Sequence, residues 1–178
     1  MILAFDTFYF ENKAKTVCLK FDYTEKNLTT YSEIIENCNE YIPGEFYRRE
    51  LPCIISLLKQ INTKDVNLII VDGFVYLDDN FKMGLGAHLF KSLQNKIPII
   101  GVAKTNFATI EELKISVFRG KSKKPLYVSS IGIGLKEAAK MIEDMDGEYR
   151  IPNLLKTLDN HTKDKTACNR AVTSIAGF

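Results

Sequence analysis

Two aspartates each close an apolar run. Asp6 follows Ile2-Leu3-Ala4-Phe5, and Asp72 follows Leu68-Ile69-Ile70-Val71. Between them Glu50 stands shortly after a Pro43-Gly44 turn. Short, nearly continuous apolar runs are the mark of strands covered on both faces, so both aspartates belong at the ends of buried strands. Three carboxylates in such places offer hard oxygen ligands to a divalent cation such as Mg²⁺, which keeps some of its waters for chemistry. Such ions activate an attacking water and stabilise the departing oxygen of an in-line displacement. The chemistry this points to is metal-dependent cleavage of a phosphodiester. Taken singly, each residue also has an ordinary explanation. A strand-end aspartate can cap a turn, and Glu50 can pair on a helix surface with Arg48 or Arg49, which adds little stability.

The elements that must position these groups follow from periodicity. Residues 1–10 and 16–21 are predicted strands separated by a polar turn at 11–15, and 26–35 completes an antiparallel meander. Residues 37–44 form a loop with a Pro-Gly stop. The spacing of Phe46, Leu51, Ile54, Ile55, Leu57 and Leu58 predicts a helix over 45–60, with Pro52 in its first turns or at a bend. A buried strand over 66–71, a loop over 72–80, a helix over 81–94 and a second buried strand over 97–102 follow. Strands at 113–118 and 126–130 flank the basic stretch Arg119-Gly120-Lys121-Ser122-Lys123-Lys124, which is expected to be a solvated hairpin loop, with phosphate contact as the alternative. Helices at 135–145 and 152–162 close the chain. Strands first and then alternating helix and strand imply an α/β fold, a mixed sheet with helices on its faces. Reactive groups in such sheets collect where the chain leaves strand ends.

With 178 residues, 46% of them hydrophobic, the chain is expected to form a single domain over 1–178. A net charge of +2 does not mark a nucleic-acid binder, although 24 Lys and Arg leave room for a local basic face. Cys18, Cys38, Cys53 and Cys168 lack the spacing of a zinc site, and Cys18 and Cys53 are expected to be small core residues. His88, beside Ala87 and Leu89, is expected to be structural. No apolar run is long enough to span a bilayer and no secretory leader is recognisable, so a cytoplasmic protein without a membrane partner is expected.

Asp6, Tyr41-Ile42-Pro43-Gly44 with Glu50 nine residues after the tyrosine, Asp72-Gly73 and Ile97-Pro98-Ile99-Ile100-Gly101-Val102-Ala103-Lys104 occur in this order. With them the chain resembles the endonuclease V family, from residue 1 to about residue 160. The resemblance implies a ribonuclease H-like mixed sheet flanked by helices. It also implies cleavage of DNA or RNA on the 3′ side of deaminated adenine (inosine or deoxyinosine), with Mg²⁺ or Mn²⁺ as cofactor. Inosine-containing nucleic acid is then the expected partner, acted on by a monomer. Asp6, Glu50 and Asp72 match the family's metal-binding carboxylates. Asp159 falls where the family places a fourth acidic or histidine residue, with His161 as a substitute candidate. Lys104 matches the lysine of the Gly-Val-Ala-Lys motif near the active site, where a compact positive charge can meet phosphate. Tyr41, Ile42, Pro43 and Gly44 match a wedge that separates bases, and Gly73, Gly84 and Leu85 match backbone around the pocket that receives the altered base. Glycine lets backbone come close to a base edge.

Two stretches depart from the family pattern. Phe74-Val75-Tyr76-Leu77-Asp78-Asp79 replaces a Gly-Gln-Gly-like stretch and a His-Pro pair, and Ser130-Ile131-Gly132 replaces a Gly-His after Val128-Ser129. These changes leave the metal ligands intact and bear on specificity. They keep two alternatives open: an inosine- or structure-binding module with weak or no cleavage, and a ribonuclease H-like nuclease selective for nucleic-acid structure.

Overall fold

The computed structural model describes residues 1–36 and 46–165, and the backbone of 172–175. In chain order the elements are β1 (Ile2–Phe10), β2 (Lys13–Phe21), β3 (Asn27–Glu36), α1 (Tyr47–Leu58), β4 (Leu68–Asp72), α2 (Leu85–Ser92), β5 (Ile99–Ala103), β6 (Ile115–Val117), β7 (Leu126–Ile131), α3 (Leu135–Asp144), α4 (Asn153–Lys163) and β8 (Val172–Ile175). They build one sheet in the order β6-β7-β5-β4-β1-β2-β3-β8. β1 runs antiparallel to β2 and parallel to β4, and β4 runs parallel to β5. This is the ribonuclease H-like mixed sheet that the resemblance implied.

The sheet is covered on both faces, and residue parity decides what each face carries. Ile2 and Ala4 of β1, Leu68 and Ile70 of β4, and Ile100 and Val102 of β5 pack with Ala138 and Ile142 of α3 and with Leu154 and Leu158 of α4. The intervening Leu3 and Phe5, Ile69 and Val71, and Ile99 pack with Ile54 and Leu57 of α1 and Leu89 of α2. Side chains alternate along a strand. Asp6, Asp72 and Lys104 continue the even-numbered series toward α4, whereas Thr7 and Tyr9 continue the odd-numbered series toward α1. One strand end can therefore present groups to both helical layers.

Several boundaries differ from expectation. The β1–β2 turn shrinks to Glu11 and Asn12, because the ladder pairs Phe10 with Lys13 and continues through Ala14 and Lys15. Lys15 tolerates its buried position because its ammonium donates to the Asp164 carbonyl at the end of α4. The predicted helix over 81–94 is confined to α2, preceded by a bridge between Tyr76 and Met83. Strand β8, paired with β3, is an element that the periodicity does not predict. Cys18 and Cys53 are buried, as expected of small core residues. Among the described residues no helix is long and apolar enough to cross a membrane.

Candidate active site

Asp72 ends β4, Lys104 follows β5, and Asp159 lies on α4; the neighbouring parallel strands and the helix above them bring the three together. The Lys104 ammonium donates to Asp159 Oδ1 at 3.1 Å and stands 3.4 Å from Asp72 Oδ2. Lys163, one turn along α4, also binds the Asp159 carboxylate. Asp6 is held by Thr162, whose fully buried hydroxyl lies 2.8 Å from Asp6 Oδ2 and 2.8 Å from the Asp159 carbonyl. Asp6, Asp72, Lys104 and Asp159 line a cleft of about 30 Å³ together with apolar residues such as Phe5, Ile70 and Leu158. That is room for a few water-sized occupants at most. Behind the cleft, Arg150 fixes the strand ends by donating to the carbonyls of Lys104 and Pro125.

Glu50 approaches from the other layer. It is buried in the first turn of α1. Burial raises its carboxyl pKa to about 8, and the charges of Asp6 and Asp72 add to the rise; hydrogen bonding toward Thr7 and Tyr9 pulls it down. Thr7 is fixed by its hydroxyl partner Thr16 at 3.0 Å. The Tyr9 hydroxyl is buried and finds no partner of good hydrogen-bond geometry among the described residues, while the Arg49 guanidinium covers its ring at 3.5 Å. Burial also raises the Asp72 carboxyl; Lys104 opposes that and Asp6 reinforces it. Burial alone would raise the Asp159 carboxyl too, but Lys163 and Lys104 outweigh it and hold that group below the usual range. For Lys104, burial disfavours the charge, yet Asp72 and Asp159 prevail and raise its pKa.

Desolvation raises the Glu50 and Asp72 carboxyls and neighbouring carboxylate charge adds to both, so keeping all of these groups ionised is costly without a cation. Their all-oxygen donor set is the chemistry that a hard divalent ion takes, although Glu50 does not line the cleft itself. Among the described residues no three acidic, histidine or cysteine side chains are already grouped as ligands. Glu50 comes from the opposite layer, and the Lys104 ammonium lies between Asp72 and Asp159.

Of the other expected site residues, Tyr41, Ile42, Pro43 and Gly44 lie outside the described residues. His161 is exposed, and its i+2 spacing from Asp159 puts it on a different side of α4. Gly73, Gly84 and Leu85 line a second cavity beside the carboxylates. Gly73 adopts φ +133°, where a side chain would be strained, and a Cβ on Gly84 would lie 2.7 Å from the Phe74 carbonyl. Both glycines therefore have a structural reason. His88 stacks on Tyr47 with ring centroids 3.7 Å apart, in keeping with a structural role. The basic stretch divides: Lys121, Lys123 and Lys124 are exposed, but Arg119 is buried and donates to the carbonyls of Glu143, Met145, Gly147 and Tyr149. A solvated loop is the wrong description for Arg119. Thr7, Tyr9, Arg150 and Thr162 went unnoticed in the sequence. Only Thr162 carried a usable signal, its i+3 spacing from Asp159.

Comparison with known proteins bears on the fold and on the family. A variant of the Endonuclease V of Ciona intestinalis, solved in complex with a 23mer DNA containing an inosine followed by a ribo-adenosine, superposes with a TM-score of 0.76 at 17% identity, over 92% of this chain and 84% of that one. Endonuclease V from Streptomyces avermitilis gives 0.70 at 20% identity, over 91% and 79%. At these identities the likeness is one of fold. In sequence, the Endonuclease V of Nostoc punctiforme is 29% identical over 138 residues, a match spanning 67% of this chain but only 61% of that relative's length. The sequence model of the Endonuclease V family matches residues 1–160, which takes in Asp6, Glu50, Asp72, Lys104 and Asp159. The chain belongs to the Endonuclease V family.

Proposed function

We propose that this protein is a divalent-metal-dependent endonuclease that cuts DNA or RNA on the 3′ side of deaminated adenine. The observation that carries the reading is the meeting of Asp6, Asp72 and Asp159 with Lys104 at a water-sized cleft, with Glu50 entering from the opposite layer. Family membership and the inosine-containing DNA bound by the Ciona relative support the substrate class.

Asp6, Glu50 and Asp72 would hold Mg²⁺ or Mn²⁺. Such a cation supplies polarisation of the phosphate and activation of water. The chain's own residues do the rest. Thr162 holds the Asp6 carboxylate in one orientation. Lys104, positioned by Asp159 and by the hold of Arg150 on its carbonyl, offers its ammonium to a phosphate oxygen as negative charge develops there. Asp159 keeps that ammonium at the cleft. Tyr41, Ile42, Pro43 and Gly44 would part the bases, and the cavity at Gly73, Gly84 and Leu85 would receive the one turned out.

Cleavage of matched single-stranded DNA and RNA oligonucleotides, each with and without one inosine, tests the reading in Mg²⁺ and in EDTA. We expect Mg²⁺-dependent cutting 3′ of inosine, abolished by Asp72→Ala. Equal cutting of the inosine and adenosine strands would replace inosine with nucleic-acid structure as the determinant. Binding without cutting would make the protein a binding module.

A further inference from the structure

No step of cleavage uses the basic hairpin between β6 and β7, yet the fold fixes it beside the cleft. Both of its ends are held. Gly120 adopts φ +57° and lies so close to the α3–α4 linker that a Cβ there would collide with the Glu148 carbonyl and lie 3.3 Å from Tyr149 Cα. The buried Arg119 donates to the Tyr149 carbonyl at 3.2 Å. At the other end Arg150 donates to the Pro125 carbonyl at 2.7 Å and, through the same nitrogen, to the carbonyl of Lys104. Within the turn the Ser122 hydroxyl accepts the Lys124 N–H at 3.1 Å and donates to the Lys124 carbonyl at 3.0 Å. The hairpin is thus braced internally and tied to the backbone of the lysine in the cleft.

Lys121, Lys123 and Lys124 are exposed on this turn, and among the described residues none of them is paired with an acid. Tyr149 stands in the linker against which the hairpin lies. Its ring is 70% exposed, the most of any large apolar side chain among the described residues, while Arg119 fixes its backbone. The Lys156 ammonium lies 5.8 Å from the centre of that ring. Lys156 precedes Asp159 by three residues on α4, which puts both on one side of the helix. Both Tyr149 and Lys156 stand close in sequence to residues that line the cleft, Ile151 and Leu155. Glu148 sets one exposed negative charge against Lys121, Lys123, Lys124 and Lys156.

Unpaired lysines around an exposed aromatic ring suit a single nucleic-acid strand. Ammonium groups displace counterions from its phosphates, and a ring face accepts a base of any identity. The tethers reduce the ordering that such a surface must still undergo when a ligand arrives. A loop that only solvates the surface needs no bond to the cleft, whereas one that holds a strand for cutting must stand in a fixed relation to it.

We propose that Lys121, Lys123 and Lys124 of the hairpin, with Tyr149 and Lys156, form a strand-holding track on the α4 side of the cleft. The lysines take phosphates of a single-stranded segment flanking the cut, and Tyr149 stacks on one of its bases. That the partner is nucleic acid rests on the nuclease reading of the adjacent carboxylates. The track belongs to the layer of α3 and α4, apart from the layer of α1 and α2. It contributes affinity with no preference for sequence or lesion.

The test is binding of a fluorescently labelled single-stranded DNA without inosine to the full chain in EDTA, over a series of salt concentrations. Lys121→Gln, Lys123→Gln and Lys124→Gln together are expected to lower the slope of log K against log salt by about 2, at about 0.7 for each phosphate contact on a single strand. Lys59→Gln, Lys64→Gln and Lys96→Gln together remove the same charge from the opposite end of the sheet, after α1 and before β4 and β5, and should leave the slope unchanged. Tyr149→Ala is expected to weaken binding roughly tenfold at an unchanged slope, to have no effect on a strand of abasic sites, and to be rescued by Tyr149→Phe. Equal slopes for the two triple variants, a Tyr149→Ala protein that binds as tightly as wild type, or a wild type that does not bind would overturn the proposal. Binding of this pattern without Mg²⁺-dependent cutting would count against the nuclease reading alone, since affinity here is read without metal or inosine.

Discussion

Thr162 and Glu50 show how much the candidate site depends on single residues beyond its most visible carboxylates. A hydrogen bond to a charged group contributes about 1.5–3 kcal/mol. If the Thr162 hydroxyl orients Asp6, Thr162→Val is expected to lower kcat about ten- to a hundredfold with little change in KM, and Thr162→Ser to recover most of it. A change in unfolding midpoint without a change in kcat would show that the contact is only structural. Glu50 makes a pH-dependent contribution. Its carboxyl holds a proton up to about pH 8 in the folded protein, against an ordinary value of 4.5. The folded state therefore binds that proton more tightly, and the associated stability is complete below pH 4.5 and lost as the pH rises through 8. In EDTA, thermal unfolding is expected to move to lower temperature over this window, and Glu50→Gln to flatten the dependence. Asp6 and Asp72 were legible in the sequence because each ends an apolar run. Thr162 was less so: its i+3 spacing from Asp159 puts the two on one side of a helix, but the hydroxyl itself looks like any other in a polar helix. His161 drew notice for its proximity to Asp159 in sequence, whereas the helical repeat turns it away.

At the scale of elements, the linker between α3 and α4 depends on a residue that composition placed in solvent. Arg119 gathers four backbone carbonyls around a buried guanidinium. Leaving buried acceptors without a donor costs about 1–3 kcal/mol each. Arg119→Met is expected to destabilise the fold by about 1–3 kcal/mol in urea unfolding, chiefly through the buried Met145 carbonyl, and Arg119→Lys to recover only part, since an ammonium lacks the planar fork of donors. An Arg119→Met protein as stable as wild type would remove this role. Charge patterning says that a basic stretch lies at the surface, which holds for Lys121, Lys123 and Lys124. It does not say which member turns inward to satisfy a linker far along the chain. Lys15 behaves likewise: polar composition puts it inside a turn over 11–15, yet its ammonium reaches the end of α4 and the strand continues. Apolar runs, by contrast, placed β4 and β5 well, because a strand covered on both faces has no room for polar exceptions.

For the whole molecule, the consequence of the fold is a meeting of two layers. The β1–β4–β5 order and the even-numbered side chains bring Asp6, Asp72 and Lys104 under α4, while α1 delivers Glu50 from beneath the sheet. The strand order could be anticipated from the resemblance. The separation of the carboxylates between the layers could not, since it depends on which face of α1 packs inward. Repulsion among these carboxylates is expected to be relieved when a divalent cation binds, and ligand binding to the folded state raises its stability. The most direct measurement is a Mn²⁺ titration followed by electron paramagnetic resonance, with wild-type protein and Asp72→Asn side by side. Saturable binding by the wild type, accompanied by a rise in Tm, and at least about tenfold weaker binding by Asp72→Asn are expected. A wild type that binds no Mn²⁺, or an Asp72→Asn protein that binds it equally well, would contradict the assignment of this cleft as a metal-dependent nuclease site.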